Sequence, residues 1–327
     1  MTVIDATEHR HAAQLLGRIA AIFDQRVVGQ RPLYASLVAA LIAGGHVLLE
    51  SVPGLAKTTG AQTLAAAVSG TFRRIQCTPD LMPNDIVGTQ VFNNATGAFT
   101  TILGPVHANL VLLDEINRSS AKTQAAMLEA MQERQTTIGG ELYPLPAPFM
   151  VVATQNPIEE EGTYILPEAQ MDRFLLKEVL AYPDRAEEAE ILERLTGGAF
   201  DAPLRGEPVS LADVSHLQAL VQRVYVAPDL KRYVVEIANA TRLAGVAVPQ
   251  LAGNVRLGAS PRGSIALIRL GQAIALMAGR DYVTPDDVKA VRHPALRHRI
   301  LRSYDAAANN VPVEWLIDAV FAAVPTP

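Results

Sequence analysis

Leu15, Leu16, Ile19, Ile22 and Phe23 recur at helical spacing within a stretch, Thr7 to Gln25, that carries charge throughout. That spacing predicts an amphipathic helix, and the charge argues against a secretory signal. Pro32 to Leu49 is uncharged and about long enough to cross a bilayer. Gly44-Gly45 divides it, so it reads as a core helix followed by a buried strand beginning near His46. From residue 29 to about 195, helical stretches alternate with short apolar runs, the pattern of a mostly parallel sheet with helices on its faces. The strand candidates are Val47 to Glu50, Phe72 to Gln76, Leu110 to Asp114, Phe149 to Thr154 and Phe174 to Lys177. Each is apolar at its centre, as a strand buried on both faces should be.

Between the second and third strands lies an irregular stretch, Pro79 to Pro105, with two short strand candidates around Asn93-Asn94 and Gly97. After a helix over Ser120 to Glu133 comes a hairpin signal: Gln135 to Ile138, Gly139-Gly140, then Glu141 to Tyr143. Thr196 to Pro208 is rich in Gly, Pro and Ala and reads as a linker. Beyond it the pattern is helical throughout, with helix starts at Ser210 with Asp213 and at Thr284-Pro285 with Asp287. The expected organisation is an α/β domain over residues 1–195, a linker over 196–208 and a small all-α domain over 209–327. No internal repeat is visible.

Composition narrows the class. At 49% hydrophobic, 19% charged and 5% aromatic residues, the chain is an ordinary globular protein, neither disordered nor fibrous. Its 327 residues suggest about two cores, at roughly 150 residues per domain. Cys77 is the single cysteine, which excludes an intramolecular disulfide framework and a multi-cysteine zinc site and favours a reducing compartment, the cytoplasm. A net charge of -5 offers no broad cationic field to nucleic acid or to an anionic membrane, leaving only a local groove open. Up to residue 200, 14 Lys and Arg stand against 22 Asp and Glu; beyond it, 14 stand against 11. That asymmetry suits head-to-tail packing of subunits, and equally it suits unequal solvated faces.

Ser51 to Thr58 lies between an apolar strand and a helical stretch, the setting in which backbone N–H groups and a helix N-terminus converge on phosphate. Against G-x-x-x-x-G-K-[ST], Ser51 replaces the first Gly and Ala56 the second, while Gly54 supplies one permissive position. In a phosphate loop, Lys57 would meet the β- and γ-phosphates and Thr58 would hold Mg²⁺; the string alone also fits an ordinary capped helix start. Asn109 to Asp114 is an apolar strand that ends on two carboxylates, Asp114 and Glu115, where an open α/β sheet places its ligands. Asp114 would hold Mg²⁺ through water and Glu115 would orient and deprotonate an attacking water, unless the pair merely begins the next loop. The strand before Asn156-Pro157 ends in the same way, with an amide suited to positioning water or to a turn.

Taken together, Val52 to Thr58, Arg74 to Leu81, Leu113 to Ser119, Thr123 to Gln135, Ala153 to Glu159 and Pro167 to Phe174 resemble the MoxR family of AAA+ ATPases, over residues from about 25 to 300. The resemblance implies a P-loop AAA+ core, a central parallel sheet flanked by helices, followed by a small helical lid. It implies that Val28, Gly29 and Gln30 lie against the adenine, and that Pro53, Gly54, Leu55, Ala56 and Thr59 complete the ATP contact around the Walker A pair, Lys57 and Thr58. Asp114 and Glu115 become the Walker B pair, Asn156 sensor 1, and Arg173 the arginine finger acting on the neighbouring subunit's ATP. Gly258 to Arg262 resembles sensor 2, so Arg262 would also bind nucleotide. Independently, Ser260 and Pro261 read as N-cap and N1, which puts Arg262 in a first helical turn where the dipole disfavours a cation, a broken rule that suggests an anionic partner or a solvated side chain.

The resemblance further implies a homo-oligomeric ring, expected to be a hexamer, that acts as a chaperone in maturation, assembly or cofactor insertion of client proteins, with a separate von Willebrand A domain protein as partner. The 79–105 stretch and the Gly139-Gly140 hairpin then correspond to inserts that contact clients or stay disordered. Two rivals are a DNA-acting AAA+ remodeller, which the acidic pI disfavours, and a nucleotide-binding scaffold without turnover. His9 with His11 and His293 with His298 lack a nearby Cys or acidic cluster and read as ordinary histidines. Arg292, Arg297, Arg299 and Arg302, without interleaved aromatics, read as a solvated helix face or a subunit contact rather than a nucleic-acid site. Asp213-x-Ser215 lacks the second Ser of a von Willebrand A metal site.

Overall fold

The computed structural model describes residues 4–156, 164 and 166–327. The helix Ala6–Phe23 buries all five of its periodic residues. The uncharged run divides into the helix Arg31–Ile42 and strand β1 (Val47–Glu50), and among the described residues no helix is long and apolar enough to cross a membrane. Strand β2 (Phe72–Gln76) follows, then the hairpin β3 (Gly88–Asn93) and β4 (Ala98–Leu103). Next come β5 (Leu110–Asp114), the hairpin β6 (Gln135–Ile138) and β7 (Glu141–Pro144), β8 (Met150–Gln155) and β9 (Leu176–Val179).

The central sheet is parallel, in the order β2-β5-β8-β1-β9. Its register pairs Gln76 with Asp114 and Glu50 with Gln155, so the carboxyl ends of β1, β5 and β8 form one edge where polar residues gather. The two faces divide the apolar side chains with the period of two that a strand imposes. Leu49, Leu112 and Val152 pack with the helices Ala6–Phe23, Arg31–Ile42 and Lys57–Ala67, whereas Leu48, Val111, Leu113 and Val151 pack with Met127, Leu128 and Met131 of the helix Ala121–Glu133.

Among the described residues the buried apolar side chains form two clusters, one on each face of the sheet. The first core runs on without a break into the C-terminal helices, through Leu217, Leu267 and Leu270. Those helices include Leu211–Arg223, Pro228–Arg242, Pro261–Met277 and Val313–Ala323. Ser210 and Thr284 cap their helices as the sequence predicts. A short antiparallel pair, Val255–Leu257 with Leu301–Arg302, interrupts the helical pattern that the sequence suggests.

Strand β9 begins two residues later than expected. The Phe174 and Leu175 carbonyls are taken by Arg299, whose Nη2 and Nη1 donate to them at 2.6 and 3.1 Å, so neither joins the sheet at that point. The arginine cluster is likewise corrected. Arg292 pairs with Asp318 at 2.6 Å, Arg297 lies between Glu178 (3.7 Å) and Glu314 (3.3 Å), and Arg299 is buried against Asp172 at 2.8 Å. Arg302 donates to the Val311 carbonyl. Arg297 and Arg299 thus tie the helical region to β9 and the segment before it, Arg292 pairs within the helical region, and Arg302 alone of the four is exposed. The β3–β4 hairpin leaves Phe92 and Phe99 exposed, edge to face at 5.2 Å.

Candidate active site

Strand β1 delivers the chain into a loop whose backbone is set by two left-handed residues, Gly54 (φ +86°) and Ala56 (φ +56°). Gly54 adopts this freely. Ala56 carries a Cβ and adopts it at a cost of about 1–2 kcal/mol, so strain is stored where the helix Lys57–Ala67 begins. No side chain caps that helix, which leaves its first N–H groups and the positive end of its dipole to an anion. Lys57 Nζ folds back over the loop and donates to the Ser51 carbonyl at 3.2 Å.

Beside this loop stand the ends of β5 and β8. Thr154, fully buried on β8, donates to Asp114 Oδ1 at 2.7 Å and accepts the Glu115 backbone N–H at 2.9 Å. Asp114 Oδ2 accepts from Arg74 Nη2 at 2.5 Å. Glu115 is itself left-handed (φ +58°), and its Oε2 lies 3.2 Å from both Gln76 Nε2 and Arg118 Nε. Asn156, buried, follows β8 directly, and Pro157 with the rest of that motif to Glu159 lies outside the described residues.

Pro53 through Thr59, Asp114, Glu115 and Asn156 line one cleft of about 880 Å³, with Val28 and Gln30 farther along its wall. Gly29 contributes the turn between those two: its φ is +71°, and a Cβ there would stand 2.4 Å from the Glu187 carboxyl carbon. Arg173 and Arg262 do not line this cleft. Arg173 Nε donates to Gln132 Oε1 at 3.1 Å and Nη1 to the Ala169 carbonyl at 2.8 Å, on a separate groove. Arg262 lies 3.9 Å from Asp172 Oδ2, and Ser260 Oγ donates to the same carboxylate at 2.8 Å, docking the start of its helix there. Arg262, expected to meet nucleotide, thus lies outside the lining of its own chain's cleft.

The sequence reading did not include Gln62, Thr63 and Ala66, although helical spacing from Thr58 and Thr59 leads to them. It also passed over Arg26, Pro183, Ile191, Phe200 and Leu204. Phe200 and Leu204 belong to the segment read as a linker, where a lone aromatic among Gly, Pro and Ala was the available signal.

Chemically, the cleft joins an anion-binding helix start and a lysine to a carboxylate pair at the switch point of a parallel sheet. Thr58 and Asp114 offer the hard oxygen donors that suit Mg²⁺. Both Asp114 oxygens already accept hydrogen bonds, which favours holding the ion through its water.

The family model described as "ATPase family associated with various cellular activities (AAA)" matches residues 46–176, and that of the AAA lid domain matches 251–317. "Chaperone MoxR1" of Mycobacterium tuberculosis is 46% identical over 94% of this chain and 81% of its own length. "Protein MoxR" of Paracoccus denitrificans is 32% identical over 92% of this chain and 93% of its own. A solved structure from Cytophaga hutchinsonii, described as that of a candidate ATPase, superposes with a TM-score of 0.91 at 40% identity, covering 98% of this chain and 97% of the other. Fold and site thus define a P-loop protein of the AAA+ class with a helical lid. Within that class, the chain belongs to the MoxR family of AAA+ ATPases.

Proposed function

We propose that the protein is a Mg²⁺-dependent ATPase that works as a ring, with each active site completed by a neighbouring copy. The observation that carries this reading is spatial. Lys57, Thr58, Asp114, Glu115 and Asn156 share one cleft, whereas Arg173 lines a separate groove and Arg262 lies against Asp172, both outside the lining of that cleft.

In this reading the loop amides and Lys57 bind the β- and γ-phosphates, and Val28 and Gln30 lie toward the base. Glu115 accepts the proton of a water that attacks the γ-phosphorus as ADP departs, and Asn156 orients that water. Thr58, and Asp114 through water, would hold Mg²⁺, which would supply charge neutralisation on the phosphate oxygens. Arg173 reaches the neighbour's γ-phosphate and Arg262 also meets nucleotide there, so the working unit is an oligomer, a hexamer by family resemblance. The 1–195 unit carries the chemistry and 209–327 acts as the lid.

The name of the Mycobacterium tuberculosis relative supports a chaperone role; family resemblance extends this reading to maturation, assembly or cofactor insertion of a client in the cytoplasm, with a separate von Willebrand A domain protein as partner. The exposed apolar residues of the β3–β4 hairpin suit client contact. The ion-paired arginines of the lid favour this over a DNA-directed reading.

The test is phosphate release by two variants that are each inactive alone. Lys57→Ala loses its own ATP but keeps Arg173, and Arg173→Ala keeps its ATP but loses the finger, worth roughly 10³–10⁵ in rate in other NTPases. Mixed in equal amounts they should regain activity. Failure to do so, with both variants still oligomeric, rejects the shared site.

A further inference from the structure

Residues 197–210 form no helix or strand, yet their backbone is held at one point after another. Arg26 reaches across with Nη1 to the Ala199 carbonyl at 2.8 Å and Nη2 to the Ala202 carbonyl. Gln25 makes a two-way pair with Arg205: its Nε2 donates to the Arg205 carbonyl and its Oε1 accepts the Arg205 N–H, both at 2.8 Å. Farther on, Arg18 donates to the Glu207 and Pro208 carbonyls at 3.0 and 2.8 Å, and the Val209 N–H donates to the Ala67 carbonyl at 2.8 Å. The last of these anchors the segment to the very helix that starts at Lys57. A slack connector would leave these carbonyls to water. Here side chains some 175 positions upstream fix them, which is the density of bonding expected of a wall rather than a hinge.

The fixed segment aims two side chains, Phe200 and Leu204, into the cleft that contains the phosphate loop. The cleft combines two characters as a result. Lys57, Asp114 and Glu115 give the cleft charge, whereas Phe200, Leu204, Ile191, Pro183 and Val28 supply apolar surface, with Arg26 bonded on either side of Phe200. A nucleoside triphosphate combines the same two: a charged tail and a flat base with two π-faces.

We propose that the strap 199–205 is the base-binding wall of the nucleotide site, with Phe200 the specificity-determining contact to the face of a purine and Arg26 the residue that positions it. This rests on the ATP reading above and adds to it the part of the chain that recognises the base. A purine offers Phe200 and Leu204 more face than a pyrimidine does, so the strap favours purine nucleotides over CTP and UTP. Stacking of a base on an aromatic ring is strong enough that its loss weakens binding about tenfold or more.

The experiment compares ADP with inorganic tripolyphosphate, which has the charge and no base, by calorimetric titration of the full chain with Mg²⁺ present. Phe200→Ala and Arg26→Ala should each weaken ADP about tenfold and leave tripolyphosphate unchanged, and the double variant should bind ADP no worse than Phe200→Ala alone. Phe200→Trp should restore ADP binding. Unchanged ADP affinity in Phe200→Ala overturns the proposal. So does an equal loss for both ligands, since the strap would then hold the fold and not the base. If the wild-type chain binds tripolyphosphate but no nucleotide, the ATP reading itself fails and takes this inference with it.

Discussion

Thr154 and Asp114 share a hydrogen bond of 2.7 Å across two neighbouring strands, and the same hydroxyl accepts the backbone N–H of Glu115 at 2.9 Å. One buried side chain therefore fixes both candidate carboxylates, one through its oxygen and the other through its main chain. The second contact matters because Glu115 is left-handed, a conformation that persists only where its surroundings impose it. Thr154→Val keeps the shape and removes the hydroxyl, stranding a carboxylate oxygen and an amide. It should cost about 1–3 kcal/mol in urea unfolding and lower phosphate release further than the loss of folded protein explains. Thr154→Ser should retain most of both. A valine variant that matches wild type in both measurements would show that the hydroxyl positions nothing.

Ala56 offers a prediction of the opposite sign. Its Cβ opposes the left-handed turn by about 1–2 kcal/mol, and glycine returns part of that gain through the entropy of the unfolded chain. Ala56→Gly should stabilise the protein by up to about 1 kcal/mol, which raises the thermal midpoint by about 1–2 °C in a chain of this length. Gly29→Ala should do the reverse, because φ there is +71° and the added carbon would stand 2.4 Å from the Glu187 carboxyl carbon. A thermal scan of the three proteins, with midpoints in any other order, would mean that the loop relaxes around these positions.

Where an element follows from local spacing, the sequence was sufficient. Strands β1 and β5 form over the expected residues because a short apolar run buried on both faces has one way to lie, and β2 does so as an edge strand that buries only Ile75 and leaves Arg73, Arg74 and Gln76 exposed. The phosphate loop and the paired acids were legible for the same reason, since each follows its own strand without help from elsewhere. What was not legible depended on arginines acting at a distance. Arg299 delays β9 by holding two carbonyls some 125 positions upstream, and it reads locally as one more charge on a helix. Arg18 and Arg26 pin the carbonyls of a Gly- and Pro-rich segment, and apart from the lone aromatic Phe200 nothing near residue 200 signals it. Arg262 reads in the sequence as a residue suited to an anionic partner, but its place against Asp172 depends on the bond between Ser260 and Asp172, 88 positions apart.

His46 links stability to pH. It precedes β1, fully enclosed, and its Nδ1 accepts the Val151 backbone N–H at 3.0 Å, so the proton rests on Nε2, which donates to the Met131 carbonyl at 3.1 Å. Burial pushes its pKa down to about 4, with the nearby Arg134 charge acting the same way against the Met131 bond. The unfolded chain takes up that proton near pH 6.5 and the folded one does not, so the contribution to stability is complete above about 6.5 and is lost as pH falls toward 4. The loss is about 1.4 kcal/mol per pH unit, or about 3 kcal/mol across the window. His298, buried and held well below its ordinary value, acts in the same direction, while Glu178, whose carboxyl is raised by burial, opposes them as it protonates. The difference between wild type and one variant separates these effects. His46→Asn can still accept from Val151 but cannot titrate. Its stability deficit in urea should be largest above pH 6.5 and shrink by about 3 kcal/mol toward pH 4, whereas a deficit that stays constant with pH would place the titrating group elsewhere.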